Sequence, residues 1–152
     1  RGLNCELHCY GDGPLLSEME EKVNALGLKE QVVLKGVTQD VYTVMSRADL
    51  FLLPSSWEGM PMTIIEAMGS GLPVIASRVG GIPDMIVPGE SGILIEPQAR
   101  ALADAVERLI KDEALRQALG AGGKESSRNF SLDTMAQGYL DLYRTTVPGG
   151  CL

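Results

Sequence analysis

Five short apolar runs alternate along the chain with segments whose apolar residues recur every three to four positions. The short runs predict strands and the longer periodic segments predict helices. The predicted strands cover residues 4–10, 31–35, 49–53, 73–76 and 92–95. The predicted helices cover residues 15–26, 38–48, 62–70, 83–87, 99–111, 114–125 and 132–143. This alternation indicates a Rossmann-like α/β/α fold with a parallel sheet between two helical layers, whose strand-to-helix loops share one edge.

Local signals place the ends and the burial of several elements. Gly27 follows the helix over 15–26 as a suitable terminating residue, and Thr38 can cap the next helix. The run over 49–53 is nearly all apolar, which predicts a strand buried on both faces. The helix over 99–111 carries one apolar stripe, which predicts one buried face.

The composition is that of a globular domain. The 152 residues are 45% hydrophobic and 22% charged, so the chain is expected to be one domain or part of a larger one. The net charge of -7 argues against nucleic acid and acidic lipid as main partners, because both need a basic surface. No apolar run approaches the roughly 20 residues of a transmembrane helix. Because the sequence begins with Arg1 rather than Met, we expect an internal piece of a longer protein.

The cysteines and the single histidine predict neither disulfides nor a metal site. Cys5 and Cys9 lie on one predicted strand with their Cα atoms about 13 Å apart, too far for a bridge. Cys151 lies in the C-terminal tail, and three reduced cysteines indicate a cytoplasmic protein. His8 alternates with polar neighbours on the same strand, which favours a structural role, and we expect no metal ligand set.

Candidate chemistry is concentrated in residues 55–68. Glu58 lies in a turn interrupted by Gly59 and Pro61, and Glu66 lies inside the following helical pattern. A strand that ends at a helix N-terminus is where α/β proteins hold phosphates and sugars. Two carboxylates there suit a sugar or ribose, because each can accept hydrogen bonds from neighbouring hydroxyls. The amides of residues 59–63 would be free donors for a diphosphate or sugar phosphate.

Structural roles compete with each of these interpretations. Thr63 and Glu66 fit a capping box, and the local pattern alone favours capping over ligand binding at Glu66. Ser55 and Glu58 have the same spacing, but the Gly and Pro that follow leave the two roles of Glu58 balanced. Trp57 can line a sugar site, although packing is the more common role of such a residue.

The glycine turns and the hydroxyls are weak signals by themselves. The turns at 11–14 and 80–81 fit ordinary loops. The nucleophile elbow Gly-x-Ser-x-Gly is absent around Ser56. Gly11-x-Gly13 lacks the third glycine of the dinucleotide-binding signature.

Five segments nevertheless occur in an informative order over roughly residues 3–145. They are Gly11-Asp12-Gly13-Pro14, Pro54-Ser55-x-x-Glu58-Gly59-x-Pro61, the Glu58-x7-Glu66 pair, Glu66-Ala67-Met68-x-x-Gly71-x-Pro73-Val74-Ile75-Ala76, and Gly80-Gly81-Ile82-Pro83. In this order they resemble group 1 glycosyltransferases, which are retaining enzymes of the GT-B fold. The glutamate pair in its glycine and proline context is the specific part of this resemblance.

The resemblance implies two Rossmann-like domains with the active site between them, and residues 1–152 resemble most of the C-terminal, donor-binding domain. By the family pattern, Glu66 holds the ribose hydroxyls of the nucleotide, and Glu58 is the catalytic residue that faces the donor sugar. The amides that receive the sugar and the diphosphate are those of Gly59, Met60, Met62 and Thr63. The glycine turns add Gly11, Gly13, Gly36 and Val37, and the loop at Gly36 and Val37 lies near the base.

Other parts of the family pattern precede Arg1 and are not in this sequence. Family members begin this domain with a strand, a Gly-Arg turn and a downstream Lys that bind the diphosphate. In a sheet of order 3-2-1-4-5-6 that strand is the central one. The acceptor domain with its usual catalytic His is also missing, and His8 does not match it. We therefore expect this chain to bind donor weakly, to be inactive alone, and to expose part of the apolar face of its helix over 132–143.

The resulting prediction is the donor-binding part of a cytoplasmic retaining glycosyltransferase. The complete enzyme would transfer a hexose or N-acetylhexosamine from a UDP-, GDP- or ADP-sugar to a sugar or lipid-linked acceptor, without a metal cofactor. It could also associate peripherally with the inner membrane. The alternatives are another GT-B-like enzyme, such as a sugar-nucleotide epimerase, and a non-catalytic Rossmann-like interaction module.

Overall fold

A computed structural model of the chain describes residues 3–146. These residues form two compact units, with the boundary between Thr43 and Val44. Each unit contains a parallel sheet, two-stranded in the first and three-stranded in the second, so the α/β class is confirmed. No strand among the described residues hydrogen-bonds to both sheets. Cys151 and the tail over 147–150 lie outside the described residues.

The first unit consists of two strands and the helix between them. In chain order these are β1 (Leu7–Tyr10), α1 (Leu16–Ala25) and β2 (Val32–Gly36). Leu7 lies opposite Val32, and the pairing is parallel. Helix α1 ends as predicted before Gly27, whose φ of 67° is left-handed and whose N–H donates to the Asn24 carbonyl at 3.0 Å.

The helix predicted over 38–48 is shorter in the structure. Helix α2 covers Val41–Met45. Asp40, not Thr38, caps it: the Asp40 Oδ1 accepts from the Thr43 N–H at 2.9 Å. The Thr38 hydroxyl instead accepts from the Asp40 N–H at 3.1 Å and so orders the residue that does the capping. The prediction of Thr38 as the cap is therefore wrong, because its hydroxyl bonds two residues ahead in a turn rather than into the helix.

The second unit carries its sheet in the order β3-β4-β5. The strands are β3 (Phe51–Leu53), β4 (Val74–Ser77) and β5 (Ile93–Ile95). The helices are α3 (Met62–Gly69), α4 (Ile82–Met85), α5 (Ala99–Lys111), α6 (Glu113–Ser127) and α7 (Leu132–Thr146), with a 3-10 turn at Arg128–Phe130. These elements agree with the predicted ones to within a few residues at each end.

Burial identifies β4 as the central strand of this unit. All four of its residues are buried, whereas every residue of β3 is only half-buried. The prediction that the apolar run over 49–53 is buried on both faces is thus wrong. Strand β3 has a hydrogen-bonded neighbour on one side only among the described residues, and its apolar character does not reveal this edge position.

One part of the core of the second unit lies between its sheet and the helices α5 and α6. Ile75, Ile95, Ala105, Leu109 and Leu119 form one buried cluster. The stripe predicted on α5 supplies Ala105 and Leu109 to it. Helix α6 also packs closely on the turn before β5. A Cβ at Gly122 would lie 3.0 Å from the Glu90 carbonyl carbon and closer still to its oxygen, so only glycine permits this approach.

Helix α7 buries no residue. Its large apolar side chains are all exposed, namely Leu132, Met135, Tyr139, Leu140, Leu142 and Tyr143. The expected exposure of this apolar face is confirmed. No helix among residues 3–146 is both long and apolar enough to cross a bilayer.

Candidate functional site

The loop over residues 54–61 joins β3 to α3 and carries the first glutamate of the predicted pair. Helix α3 begins at Met62, with Pro61 as the N-cap. The first amides of an α-helix lack acceptors within the helix and carry its partial positive charge. No acidic residue lies in the first turn of α3 to neutralise that charge. This end of α3 can therefore attract an anion, as the sequence predicts.

Glu66 lies on the exposed face of α3, one turn beyond its amino end. Met62, Thr63 and Glu66 are exposed, whereas Ile64 and Met68 are buried on the other face. No side chain caps the helix, because Thr63 lies inside it and the N-cap is a proline. The capping box that local pattern favoured for Glu66 is therefore wrong. No hydrogen bond or ion pair engages the Glu66 carboxylate among residues 3–146, which leaves it available to a ligand.

Glu58 is half-buried and is held by a serine on the same loop. The Ser55 hydroxyl donates to the Glu58 Oε1 at 2.7 Å. In a capping box the serine oxygen would instead accept from the backbone N–H three residues ahead, at a helix start. Residues 54–61 contain no helix, so the capping interpretation of Ser55 and Glu58 is also wrong. The sequence spacing correctly indicated that Ser55 and Glu58 interact. It did not indicate that the serine hydroxyl donates to the glutamate carboxylate.

The turn at Gly80 and Gly81 packs directly on the Glu58 loop. The Gly81 N–H donates to the Gly59 carbonyl at 3.0 Å. A Cβ at Gly80 would lie 2.8 Å from the Glu58 carbonyl carbon and closer still to its oxygen. The φ of Gly80 is 53°, in the left-handed region. This turn is thus more than an ordinary loop, because its two glycines position the backbone of Glu58 and Gly59.

Three large apolar side chains project from this part of the molecule. Trp57 is 81% exposed, and Met60 and Met62 are 59% and 61% exposed. The expectation that Trp57 serves packing is wrong, since an indole so exposed makes little contact with the core. The side chains flank the carboxylate of Glu58 in sequence, and aromatic faces of this kind can stack on sugar rings.

The remaining predicted site residues lie in the first unit. The Gly11 N–H donates to the Gly36 carbonyl at 2.9 Å, so the structure brings these two turns together at the ends of β1 and β2. The Gly13 N–H donates to Asp12 Oδ1 at 2.7 Å, and Val37 is 70% exposed. Both Gly11 and Gly36 have positive φ, at 130° and 67°. These are conformations that suit glycine, and they leave backbone open at the carboxyl edge of the sheet.

The structure describes the surroundings of His8, Cys5 and Cys9. The His8 Nε2 lies 3.2 Å from Glu6 Oε2, and both side chains are exposed. Cys5 and Cys9 are free thiols, and burial raises the pKa of Cys9. In the part of the chain that the structure describes, no group of three or more His, Cys, Asp or Glu side chains could hold a metal ion.

Comparison with known proteins assigns the family. The model for group 1 glycosyl transferases matches residues 1–126. The lipopolysaccharide core biosynthesis glycosyltransferase LpsD of Rhizobium meliloti is 37% identical over 143 residues, which cover 92% of this chain and 41% of LpsD. An exopolysaccharide phosphotransferase of Streptomyces coelicolor is 35% identical over 144 residues, which cover 93% of this chain and 15% of that protein. The chain thus spans less than half the length of either relative.

Solved structures show the same fold. A sucrose-phosphate synthase of Thermosynechococcus elongatus has a TM-score of 0.82 and 32% identity, over 92% of this chain and 38% of that one. TarM of S. aureus, in complex with Fondaparinux, alpha-GlcNAc-glycerol and UDP, has a TM-score of 0.83 and 27% identity, over 91% of this chain and 29% of that one. HepE of Anabaena, in complex with UDP-glucose, has a TM-score of 0.84 and 25% identity, over 92% of this chain and 41% of HepE. With the glutamate pair on an open loop and helix, these similarities lead to one conclusion: the chain belongs to the group 1 glycosyl transferase family.

Proposed function

We propose that this chain is the donor-binding part of a retaining, cytoplasmic glycosyltransferase. The complete enzyme transfers a hexose or N-acetylhexosamine from a nucleotide-sugar to a sugar or lipid-linked acceptor. The observation that carries this proposal is the Glu66 carboxylate, which is exposed on α3 and serves no cap. A carboxylate without a structural partner, one turn from a positive helix end, suits a ligand that has both hydroxyls and phosphates.

The two glutamates have separate roles in this proposal. Glu66 accepts hydrogen bonds from the two ribose hydroxyls of the nucleotide, as two oxygens of one carboxylate can. Glu58 faces the ring hydroxyls of the donor sugar. The amides at the start of α3 lie between these two carboxylates in sequence, where the diphosphate joins nucleoside to sugar. The diphosphate then lies where the helix dipole favours negative charge.

The same end of α3 also supports the chemical step. When the glycosidic bond to the diphosphate breaks, negative charge develops on the departing oxygen. Amides and a helix dipole that already point there stabilise this charge without reorganisation. The proposed donor-binding amides are those of Gly59, Met60, Met62 and Thr63. We propose that the helix end and basic residues of the complete enzyme replace a metal ion in this step.

The related structures support a nucleoside diphosphate as the common part of the ligand. TarM was solved with UDP, and HepE was solved with UDP-glucose. Among the UDP-, GDP- and ADP-sugars that the sequence leaves open, we therefore propose a UDP-sugar. The turns with Gly11, Gly13, Gly36 and Val37 are proposed to contact the nucleotide with open backbone groups.

The experiment that tests this proposal is a titration of UDP, GDP and ADP into the chain, followed by amide NMR. We expect UDP to shift the resonances of residues 58–66 and 36–37. The Glu66→Gln variant should keep its spectral dispersion and lose most of these shifts, because the side-chain amide is uncharged and replaces one of the two acceptor oxygens with a donor NH2 group. Equal shifts in Glu66→Gln and wild type would refute the ribose-binding role.

The complete enzyme permits a direct test of the reaction. The product of sugar transfer should have the anomeric configuration of the donor, which proton NMR of the product reports. Activity should persist in excess EDTA if no metal takes part. An inverted product would refute the retaining mechanism, and loss of activity in EDTA would refute metal independence.

A further inference from the structure

Glu58 is restrained both at its carboxylate and at its backbone. The Ser55 hydroxyl donates to Oε1 at 2.7 Å in a half-buried setting. At the other end, Gly80 packs so closely on the Glu58 carbonyl that no Cβ could fit there. The neighbouring Gly59 carbonyl accepts from the Gly81 N–H at 3.0 Å. A glutamate side chain has three rotatable bonds, and such contacts restrict it before any ligand arrives.

Ser55 itself is placed by the sheet. It follows Leu53, the last residue of β3, by two positions, and Leu53 is paired with Ala76 of the buried strand β4. Ser55 therefore lies on the loop within two residues of a strand that pairs with the most buried strand of the unit. Hydrogen bonds to a carboxylate are stronger than those between neutral groups, and partial burial reduces competition from water.

We propose that Ser55 is a positioning residue for the donor sugar, and this inference rests on the proposed function. By occupying Oε1, Ser55 fixes the plane of the Glu58 carboxylate and directs Oε2 to the sugar hydroxyls. Among residues 3–146, no hydrogen bond or ion pair engages Oε2. The nucleotide half of the donor contacts other residues, so Ser55 acts on recognition of the sugar and not of the nucleotide.

The test compares UDP with UDP-sugars in the same protein. The dissociation constants of UDP, UDP-glucose and UDP-N-acetylglucosamine are measured by calorimetry for wild type and Ser55→Ala, in the complete enzyme. We expect Ser55→Ala to leave the affinity for UDP unchanged and to weaken binding of the preferred UDP-sugar by about 10- to 100-fold, the range for a hydrogen bond to a charged group. Ser55→Thr, which keeps the hydroxyl, should restore most of this loss.

A second comparison separates positioning from a general effect on the loop. In a Glu58→Gln background, Ser55→Ala should have little further effect on sugar affinity, because the group on which Ser55 acts has already changed. The inference would be overturned if Ser55→Ala weakened the binding of UDP and of the UDP-sugar equally. It would also be overturned if Ser55→Ala caused the same loss of UDP-sugar affinity in the wild-type and the Glu58→Gln backgrounds. Wild-type protein that binds neither UDP nor a UDP-sugar would instead refute the proposed function.

Discussion

Replacement of Gly80 by alanine should displace the Glu58 loop. The new Cβ would lie 2.8 Å from the Glu58 carbonyl carbon, whereas nonbonded carbons normally approach to about 3.5–4.0 Å. The two segments must therefore separate by at least about 1 Å, because the contact with the carbonyl oxygen is tighter still. The φ of 53° adds a separate cost, because a side chain in the left-handed region costs about 1–2 kcal/mol. Relief of the overlap costs about 1–3 kcal/mol more, as in other overpacked sites.

Gly89→Ala is the matched control for this prediction. Gly89 also has a positive φ, of 83°, but no atom of the described residues would lie within 4 Å of a Cβ there. Its substitution should therefore show the backbone cost alone, about 1–2 kcal/mol. The difference between the two variants isolates the contact with Glu58. If the complete protein transfers sugar with Glu58 as proposed, a shift of about 1 Å at Glu58 should lower the transfer rate by about 100-fold.

The assay is urea unfolding followed by circular dichroism, together with transfer activity of the folded variants. We expect Gly80→Ala to lose about 1–3 kcal/mol of unfolding free energy beyond Gly89→Ala, and to lose activity where Gly89→Ala does not. If the two variants unfold at the same urea concentration and are equally active, then the Gly80 turn does not position Glu58, and this account of the site is wrong.

Three further predictions concern other parts of the chain. Trp57→Ala should change the unfolding free energy by less than about 0.5 kcal/mol, because the indole is 81% exposed; a packed Trp would cost about 3–5 kcal/mol in the same urea titration. Gly122→Ala should lower the midpoint of thermal unfolding, because its Cβ would overlap a neighbouring carbonyl, whereas Gly138→Ala in the open helix α7 should gain up to about 1 kcal/mol. At about pH 8, mass spectrometry should show slower alkylation of Cys9 than of exposed Cys5, because burial raises the pKa of Cys9 and so lowers its reactive thiolate fraction. Equal alkylation rates of Cys5 and Cys9 would contradict the argument from the raised pKa of Cys9. A higher midpoint of thermal unfolding in Gly122→Ala would contradict the argument from the close contact at Gly122.

The order of elements was predictable because periodicity reports directly on the face that each segment buries. The amphipathic stripe predicted helix α5 with its observed ends, Ala99–Lys111. The positions of glycine and proline placed the loop before α3 and the end of α1. Capping was less predictable, as Thr38 and Asp40 show, because two neighbouring side chains can each accept a backbone hydrogen bond.

The roles of the site residues needed the structure. The spacing of Thr63 and Glu66 is that of a capping box, and only the observed N-cap, Pro61, shows that Thr63 lies inside the helix. Thr63 would be the N-cap only of a helix that began two residues later, at Ile64, and the local pattern at residues 61–64 does not distinguish these two starts. The exposure of Trp57 is also a tertiary property, because it depends on which segments pack over the loop.

The sequence by itself therefore determined the α/β class, the order of strands and helices, and the segment that carries the two glutamates. These depend on local periodicity and on residue types with restricted backbone geometry. Only the tertiary structure decided that β4 is central and β3 half-exposed, that Gly80 packs on Glu58, and that Ser55 donates to the Glu58 carboxylate. These contacts join residues whose approach depends on the packing of the whole unit, and no local pattern along the chain encodes such distances.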